Sequence, residues 1–166
     1  MAMIKYFSIS LLFIAIISCN KNNEEFTCDM EGDSPSISCN GVNADSSVNG
    51  FTVNYHPDGV TKKSEGNYTS GIQNGFWKFY TLSGSLYMEG NYTSGKIDGF
   101  WKLFFSNGNL NEEGNYTNCV RNGFWKFYYN NSTNSVQKEG HYTNGGKTGN
   151  WIYYNSDGSI QKQGDC

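Results

Sequence analysis

The chain is poor in the residues that enzymes and metal sites use most. It has only two histidines, His56 and His141, and none of its five cysteines lies in a C-x-x-C pair. Nucleophilic enzymes place a histidine beside the nucleophile, and structural zinc sites use closely spaced cysteines. His56 lies beside a turn sequence and His141 replaces a repeated asparagine, so both are interpreted as surface variants. The sequence predicts a non-enzymatic protein with no catalytic residues, no cofactor and no metal.

An excess of positive charge is also absent. There are 12 Lys and Arg residues against 15 Asp and Glu, for a net charge of −3. This balance disfavours nucleic acid as a partner. No glycine-rich phosphate loop is present, because the 20 glycines separate aromatic-rich runs. Isolated aspartates before glycine, such as Asp58 and Asp157, are typical of turns rather than of calcium sites.

Helical periodicity is absent after residue 18, and a repeat takes its place. Four tryptophans recur at spacings of 24, 24 and 26 residues: Trp77, Trp101, Trp125 and Trp151. Each opens an aromatic-rich run that is followed by a turn sequence and by Glu-Gly-Asn-Tyr or a variant of it. Such a pattern predicts strand, turn and strand. Units that start near 50, 75, 99, 123 and 149 therefore predict an array of β-hairpins over 50–166.

The turn sequences also predict the register within each hairpin. A two-residue type I′ turn at Asn107-Gly108 would place Lys102 opposite Glu113. The same reasoning pairs Lys78 with Glu89, Lys126 with Glu139, Ile152 with Gln163, and each tryptophan with a glycine: Trp77 with Gly90, Trp101 with Gly114, Trp125 with Gly140 and Trp151 with Gly164. Facing opposite charges contribute roughly a few tenths of a kcal/mol. We expect each indole to cover the bare backbone of the glycine that it faces.

Alternation along the strands predicts an all-β fold, an elongated single-layer antiparallel sheet of tandem β-hairpins. One face would carry Leu86 and Leu110 together with the tryptophans, and the other would carry Tyr87. The candidate binding face comprises Trp77, Phe79, Tyr92, Trp101, Phe105, Tyr116, Trp125, Phe127, Tyr142, Trp151 and Tyr153. Rows of aromatic side chains suit a protein or glycan partner. The alternative is that these rings only brace a thin sheet.

The repeated unit resembles a known family. Gly-Phe-Trp-Lys-Phe-Tyr at 75–80, a turn, and Glu-Gly-Asn-Tyr at 89–92 are similar to the MORN-repeat variant of bacterial YwqK-type antitoxin-like proteins. The resemblance covers about residues 50 to 166. It implies an elongated sheet of successive hairpins, and it implies an antitoxin or immunity-like role that neutralises a partner toxin.

The amino terminus has the features of a bacterial lipoprotein signal. Lys5 precedes an apolar run over 9–17, and Ile16-Ile17-Ser18-Cys19 resembles a lipobox. We predict a signal peptide over 1–18, lipidation of Cys19 and a flexible tether over 19–49. Loss of 1–18 removes one lysine and no acid, which leaves a net charge of −4. The predicted location is the bacterial cell envelope, lipid-anchored at the outer membrane or cell surface.

Four cysteines remain after Cys19, and three disulfide connectivities exist for them. Cys119 and Cys166 would lie about four strands apart, ~19 Å at ~4.8 Å per strand, which exceeds the reach of a disulfide. We expect Cys28 to pair with Cys39 within the tether, and Cys119 and Cys166 to be unpaired or bonded elsewhere.

Taken together, these features predict a membrane-anchored, non-enzymatic interaction module with an aromatic face for a protein or glycan. The alternative is the antitoxin or immunity-like protein. The first and last strands are open edges, which would also allow copies to pair edge to edge as a homodimer.

Overall fold

The computed structural model describes residues 44–166 and, for their backbone only, 27–28 and 37–38. Strands β1 (Thr27–Cys28) and β2 (Ile37–Ser38) form a small antiparallel pair. The predicted signal peptide, Cys19, Cys39 and the side chain of Cys28 lie outside the described residues. Lipidation of Cys19 and the Cys28–Cys39 disulfide therefore stay predictions.

A single open sheet of ten antiparallel strands forms the rest of the described chain, and each strand pairs with its neighbours in sequence. The strands are β3 (Gly50–Tyr55), β4 (Lys62–Thr69), β5 (Ile72–Tyr80), β6 (Leu86–Thr93), β7 (Lys96–Phe104), β8 (Leu110–Thr117), β9 (Val120–Tyr128), β10 (Val136–Thr143), β11 (Gly146–Tyr154) and β12 (Ile160–Asp165). This confirms the predicted all-β sheet of tandem hairpins. Over the described residues, no helix long and apolar enough to cross a membrane is found.

The predicted register is confirmed in every hairpin that carries a tryptophan. Lys102 faces Glu113 and Trp101 faces Gly114 between β7 and β8. The predicted pairs of the other hairpins also face each other. The register holds because the turn and the alternating side chains that specify it belong to one short stretch of sequence.

The predicted turn type is wrong. At the tip of the β7–β8 hairpin, the N–H of Gly108 donates to the carbonyl of Phe105 at 2.9 Å. The N–H of Phe105 donates to the carbonyl of Asn109 at 2.8 Å. Of the central pair, Gly108 has a positive φ of 89° and Asn107 does not. The loop therefore has three residues, a turn followed by a left-handed glycine bulge. The hairpins tipped by Gly84 and Gly158 have the same two hydrogen bonds.

Type I′ geometry occurs instead at the opposite ends of the strands, where one unit joins the next. The two-residue connections have positive φ at both positions: Ser70-Gly71, Ser94-Gly95, Asn118-Cys119 and Asn144-Gly145. Cys119 stands where the other units have glycine, and its φ is 70°. A cysteine therefore occupies a backbone conformation that glycine adopts at no steric cost.

The bulge at each hairpin tip changes which face the next residues occupy. Tyr80 pairs with Leu86, although Phe79 pairs with Met88. Tyr87 is the additional residue of the bulge, with no register partner in β5. Its ring lies on the indole face, with its centroid 6.3 Å from that of Phe79. The prediction that Leu86 shares the tryptophan face and Tyr87 the other is therefore wrong, because a one-residue shift inverts the alternation. Leu110, which pairs with Phe104, is shifted in the same way.

The core lies on the side of the sheet that carries the tryptophans, here called the indole face. Each indole covers a glycine of the preceding unit rather than the glycine it faces in its own hairpin. A Cβ built on Gly90 would lie 2.2–2.5 Å from ring atoms of Trp101, and similar overlaps occur for Gly66 with Trp77, Gly114 with Trp125 and Gly140 with Trp151. The expectation of cover within one hairpin is therefore wrong, and the tryptophans instead bind successive hairpins together.

Hydrogen bonds complete these junctions. The Nε1–H of Trp101 donates to the carbonyl of Asn91, the residue after Gly90, at 3.0 Å. The equivalent bonds of the other three tryptophans measure 3.0 to 3.1 Å. The register between units is irregular at these glycines, so the indole satisfies a carbonyl at a break in the regular pairing.

Candidate functional site

The tryptophans and tyrosines of the predicted binding face are buried. All four indoles are 0 % exposed, and Tyr92, Tyr116 and Tyr142 are 3 %, 4 % and 8 % exposed. Tyr92 packs edge-on against Trp101 at 5.4 Å between ring centroids, and Tyr142 packs against Trp151 at 5.1 Å. These seven side chains are bracing residues in this fold, because a partner could not reach them without separating the hairpins.

The remaining members of the predicted face are half-buried. Phe79, Phe105, Phe127 and Tyr153 each keep part of their surface open. Phe127 and Tyr153 lie below the ammonium groups of Lys138 and Lys162, which are 4.5 Å from the respective ring centroids. The accessible surface of the indole face is therefore partly cationic at its carboxyl-terminal end. The predicted binding face contained only aromatic residues and omitted these lysines.

The opposite side of the sheet, here called the phenylalanine face, exposes one phenylalanine ring in each of the first four hairpins. Phe51, Phe76, Phe100 and Phe124 are 64 %, 48 %, 44 % and 41 % exposed. They hold equivalent positions in successive units, two strands apart, so neighbouring rings are about 10 Å apart across the sheet. We call these four residues the phenylalanine row. The predicted binding face did not include any member of this row.

Polar side chains form a ladder beside the row. The Tyr128 hydroxyl donates to Glu113 at 2.6 Å, and the equivalent tyrosines Tyr80 and Tyr154 donate to Glu65 and Glu139. Each bond links one hairpin to the one before it. Phe104 holds the tyrosine position in the remaining unit and has no hydroxyl to donate to Glu89.

Lysine–glutamate pairs add to this ladder within the hairpins. The Lys78–Glu89 and Lys126–Glu139 pairs have N–O distances of 3.9 and 3.8 Å. Their lysines are about two-fifths exposed, so each pair contributes less than about 1 kcal/mol.

A buried ion pair interrupts the apolar indole face in the second tryptophan unit, which starts near residue 99. Arg121 Nη2 donates to both carboxylate oxygens of Glu112 at 2.8 Å. The guanidinium carbon also lies 4.6 Å from the centroid of Trp125. Burial raises the pKa of Glu112, and the charge of Arg121 opposes that shift. The preceding unit has Met88 and Ile97 at these two positions.

These charged residues were missed because the sequence was interpreted through its consensus. The informative signal is the departure from it. The position before the repeated glutamate changes from Ser64 and Met88 to Glu112, Lys138 and Lys162 along the chain. A comparison of equivalent positions in successive repeats identifies this change from neutral to charged residues on the indole face.

The two histidines lie in different hairpins, and neither forms an ion pair with a carboxylate among the described residues. Nε2 of His56 is 2.9 Å from the carbonyl of Tyr80, beside an open groove of about 720 Å³ that Pro57, Leu82 and Tyr87 also line. The ring of His141 packs on Phe124 at 5.2 Å. Within the described range, no group of three or more His, Cys, Asp or Glu side chains could hold a metal ion.

Cys119 and Cys166 do not form a disulfide with each other. Cys119 lies in the connection between β8 and β9 and packs partly against the core. Cys166 is exposed after β12. The chain matches no protein-family model, and a search of curated proteins likewise found no match.

Proposed function

We propose that this chain is a membrane-anchored, non-enzymatic interaction module of the bacterial cell envelope. The observation that carries the proposal is the phenylalanine row, one solvent-open ring in each of four successive hairpins. A protein or glycan that runs across the strands would meet a new ring about every 10 Å. The proposal thus transfers the binding role from the buried tryptophans to the opposite face.

The row has the properties of a contact surface rather than of a brace. Its rings are 41 to 64 % exposed and lie outside the buried cluster of the indole face. Aromatic side chains contribute large contact areas to interfaces. Asn91 and Asn115 face Phe76 and Phe100 across the strands, so an amide beside each ring could bind a polar group of the partner.

The bracing on the other face supports this role. Because the indoles and the tyrosine–glutamate bonds hold successive hairpins together, the spacing of the row is set before a partner arrives. Binding then costs little ordering of the sheet, and preorganisation of this kind improves affinity.

We also propose that the hairpin array is a MORN-repeat variant, as the repeated sequence suggests, and that Cys19 carries the membrane anchor. Metabolic labelling of cells with an alkyne-bearing fatty acid tests the anchor. The wild-type chain should become labelled and sediment with membranes. The Cys19→Ser variant should lose the label, and equal labelling of the two chains would contradict the anchor.

Site-specific cross-linking tests the interaction surface. A benzophenone amino acid placed at Phe76 or Phe100 in the full chain, expressed in its own cells, should yield discrete cross-linked products upon irradiation. The control is the same amino acid at Leu82, which is 68 % exposed but lies in a hairpin loop away from the row. Products that are identical at Leu82, or absent at both row positions, would refute the phenylalanine row as the contact surface.

Mass spectrometry of the product identifies the partner class. A single stoichiometric toxin-like protein would support the antitoxin or immunity-like alternative, whereas an envelope protein or glycan would support the general interaction module. In either case, Phe76→Ser with Phe100→Ser should abolish capture while the melting temperature stays within a few degrees of wild type.

A further inference from the structure

Two lysine ammonium groups meet at one tyrosine at the carboxyl-terminal end of the indole face, and a third lysine lies on a neighbouring strand. Nζ of Lys147 donates to the hydroxyl of Tyr153 at 3.1 Å, and Nζ of Lys162 lies 4.5 Å from the centroid of the Tyr153 ring. Lys138 and Lys162 face Tyr153 from its two neighbouring strands. The Nζ of Lys138 lies over Phe127 of β9, 4.5 Å from the ring centroid, and the charge of Lys147 acts on it. We call Lys138, Lys147 and Lys162 the lysine cluster.

No ion pair among the described residues involves Lys138, Lys147 or Lys162. Glu112, whose charge reaches Lys138, is already bonded to Arg121 at 2.8 Å. The acids of the last three strands and their loops also point to other partners. Glu139 accepts from Tyr154 on the phenylalanine face, and Asp157 accepts from Ser159 in a turn. Asp165 lies opposite Asn150 in the strand register, one residue after Gly164, which faces Trp151, so alternation places it on the phenylalanine face.

The repeat itself does not require these charges. The positions of Lys138 and Lys162 are Ser64 and Met88 in earlier units, and the position of Lys147 is Gln73 and then Ile97. Neutral side chains therefore satisfy the same backbone geometry. Burial, together with the charge of Lys147, lowers the pKa of Lys138. The cluster thus opposes its own charge state, and a bound anion would relieve that repulsion.

We propose that the lysine cluster binds a tetrahedral oxyanion, a phosphate or sulfate group, between Lys147 and Lys162, and that Lys138 adds positive charge from the neighbouring strand. An ammonium group offers up to three N–H donors, and hydrogen bonds between ammonium groups and such oxygens are among the stronger ones in proteins. The hydroxyl oxygen of Tyr153 accepts from Lys147, so its own proton is directed elsewhere and can donate to the anion. This site lies on the opposite face from the phenylalanine row and does not depend on it.

Titration with inorganic phosphate tests the proposal on the full chain in detergent micelles. The Nε1–H signal of Trp151 is the reporter, because Nζ of Lys147 lies 4.4 Å from the centroid of that ring. We expect a saturable shift of this signal at constant ionic strength. The Nε1–H signal of Trp77, which has an equivalent junction far from the cluster, should not move. A linear response that chloride reproduces would overturn the proposal.

Variants that copy residues of earlier repeats supply the matched controls. Lys147→Gln with Lys162→Ser introduces the residues found at 73 and 64, and should weaken phosphate binding about tenfold or more. Lys63→Ser with Lys96→Ser removes the same number of charges from exposed positions outside the cluster and should change binding less than about twofold. Equal effects of the two changes would contradict a specific site. Loss of the Trp77 signal in the double variant would indicate unfolding. In that case Lys162→Ser alone, a change at an exposed residue, replaces the double variant in the titration.

Flotation with vesicles distinguishes the source of the oxyanion. Binding to phosphatidic acid vesicles but not to phosphatidylcholine vesicles, lost in the lysine variant, would assign a lipid headgroup. Saturable binding of inorganic phosphate without vesicle binding would assign a soluble or polymer-borne group. Absence of both would refute the site.

Discussion

Trp101 lies over Gly90, the glycine of the hairpin before its own, and its indole N–H donates to the carbonyl of Asn91 at 3.0 Å. One side chain therefore fills the space above a bare strand and satisfies a carbonyl at a break in the regular pairing. Repetition of this contact at four junctions lets a sheet one layer thick bury its tryptophans completely.

Gly90→Ala should lower the free energy of unfolding by about 1–3 kcal/mol, because the new methyl group would overlap the Trp101 ring. Gly164 is the matched control, since it lies in β12, an edge strand of the described sheet, and nothing lies within 4 Å of a Cβ built there. Gly164→Ala should be neutral or stabilise by a few tenths to about 1 kcal/mol. Urea unfolding of both variants measures the difference, and equal values would disprove the junction.

Trp101→Ala should lower the free energy of unfolding by about 3–5 kcal/mol, since it removes a fully buried ring and its hydrogen bond. Phe100→Ala, at the adjacent exposed ring of the phenylalanine row, should change stability by less than about 1 kcal/mol. Thermal unfolding followed by circular dichroism measures both. A Trp101→Ala variant of wild-type stability that fails to capture a partner would restore the tryptophan to the binding face.

Arg121→Ile should lower the free energy of unfolding by about 3–5 kcal/mol at pH 7, because Glu112 is left as a buried charge without its partner. The combined Glu112→Met and Arg121→Ile variant copies Met88 and Ile97 of the preceding unit. It should be as stable as wild type or more stable, because apolar residues that pack well often equal a buried pair.

The single variant also has a predicted pH dependence. Burial raises the pKa of Glu112, so the folded state favours the neutral carboxyl. The loss caused by Arg121→Ile is therefore largest at neutral pH and shrinks as pH falls through the raised pKa. Denaturant unfolding at pH 7 and pH 5 measures this change, and a loss that does not vary with pH would contradict it.

Phe104→Tyr should stabilise the fold by about 0.5–1.5 kcal/mol, because it supplies the hydroxyl that reaches the preceding glutamate in the other units. Tyr128→Phe removes such a hydroxyl, which now donates to Glu113 at 2.6 Å, and should cost a similar amount. Opposite signs for the two changes support the ladder. Destabilisation by both changes would show instead that the surroundings of Phe104 do not accommodate a hydroxyl group.

Alkaline pH should weaken the fold through Tyr80. Burial, followed by its hydrogen bond to Glu65, raises the pKa of Tyr80 to about 12, above the value of about 10 for an unfolded tyrosine. The neutral phenol is thus favoured in the folded state. Its contribution is complete below pH ~10 and is lost as pH rises towards ~12. The drop in unfolding free energy between pH 9 and pH 11.5 should shrink in Tyr80→Phe, while exposed Tyr55→Phe should leave it unchanged.

The sequence alone determined the hairpins and the pairing inside them. Lys102 meets Glu113 because both belong to one hairpin of the repeat, whose hydrophobic alternation and turn position specify register locally. Even the bulge that replaces the expected type I′ turn leaves this pairing intact, since it shifts only the residues next to the tip.

Tertiary structure decided the contacts between hairpins. Gly90 has a tryptophan on each side, Trp77 in its own hairpin and Trp101 in the next, and only the three-dimensional path of the side chains selects Trp101. That choice buries the indoles and leaves the phenylalanine row accessible, and the fold brings Lys147 and Lys162 from two strands to Tyr153. Pattern along a strand determines which face a residue takes, whereas burial depends on neighbours that the twist and bulges of the whole sheet bring together.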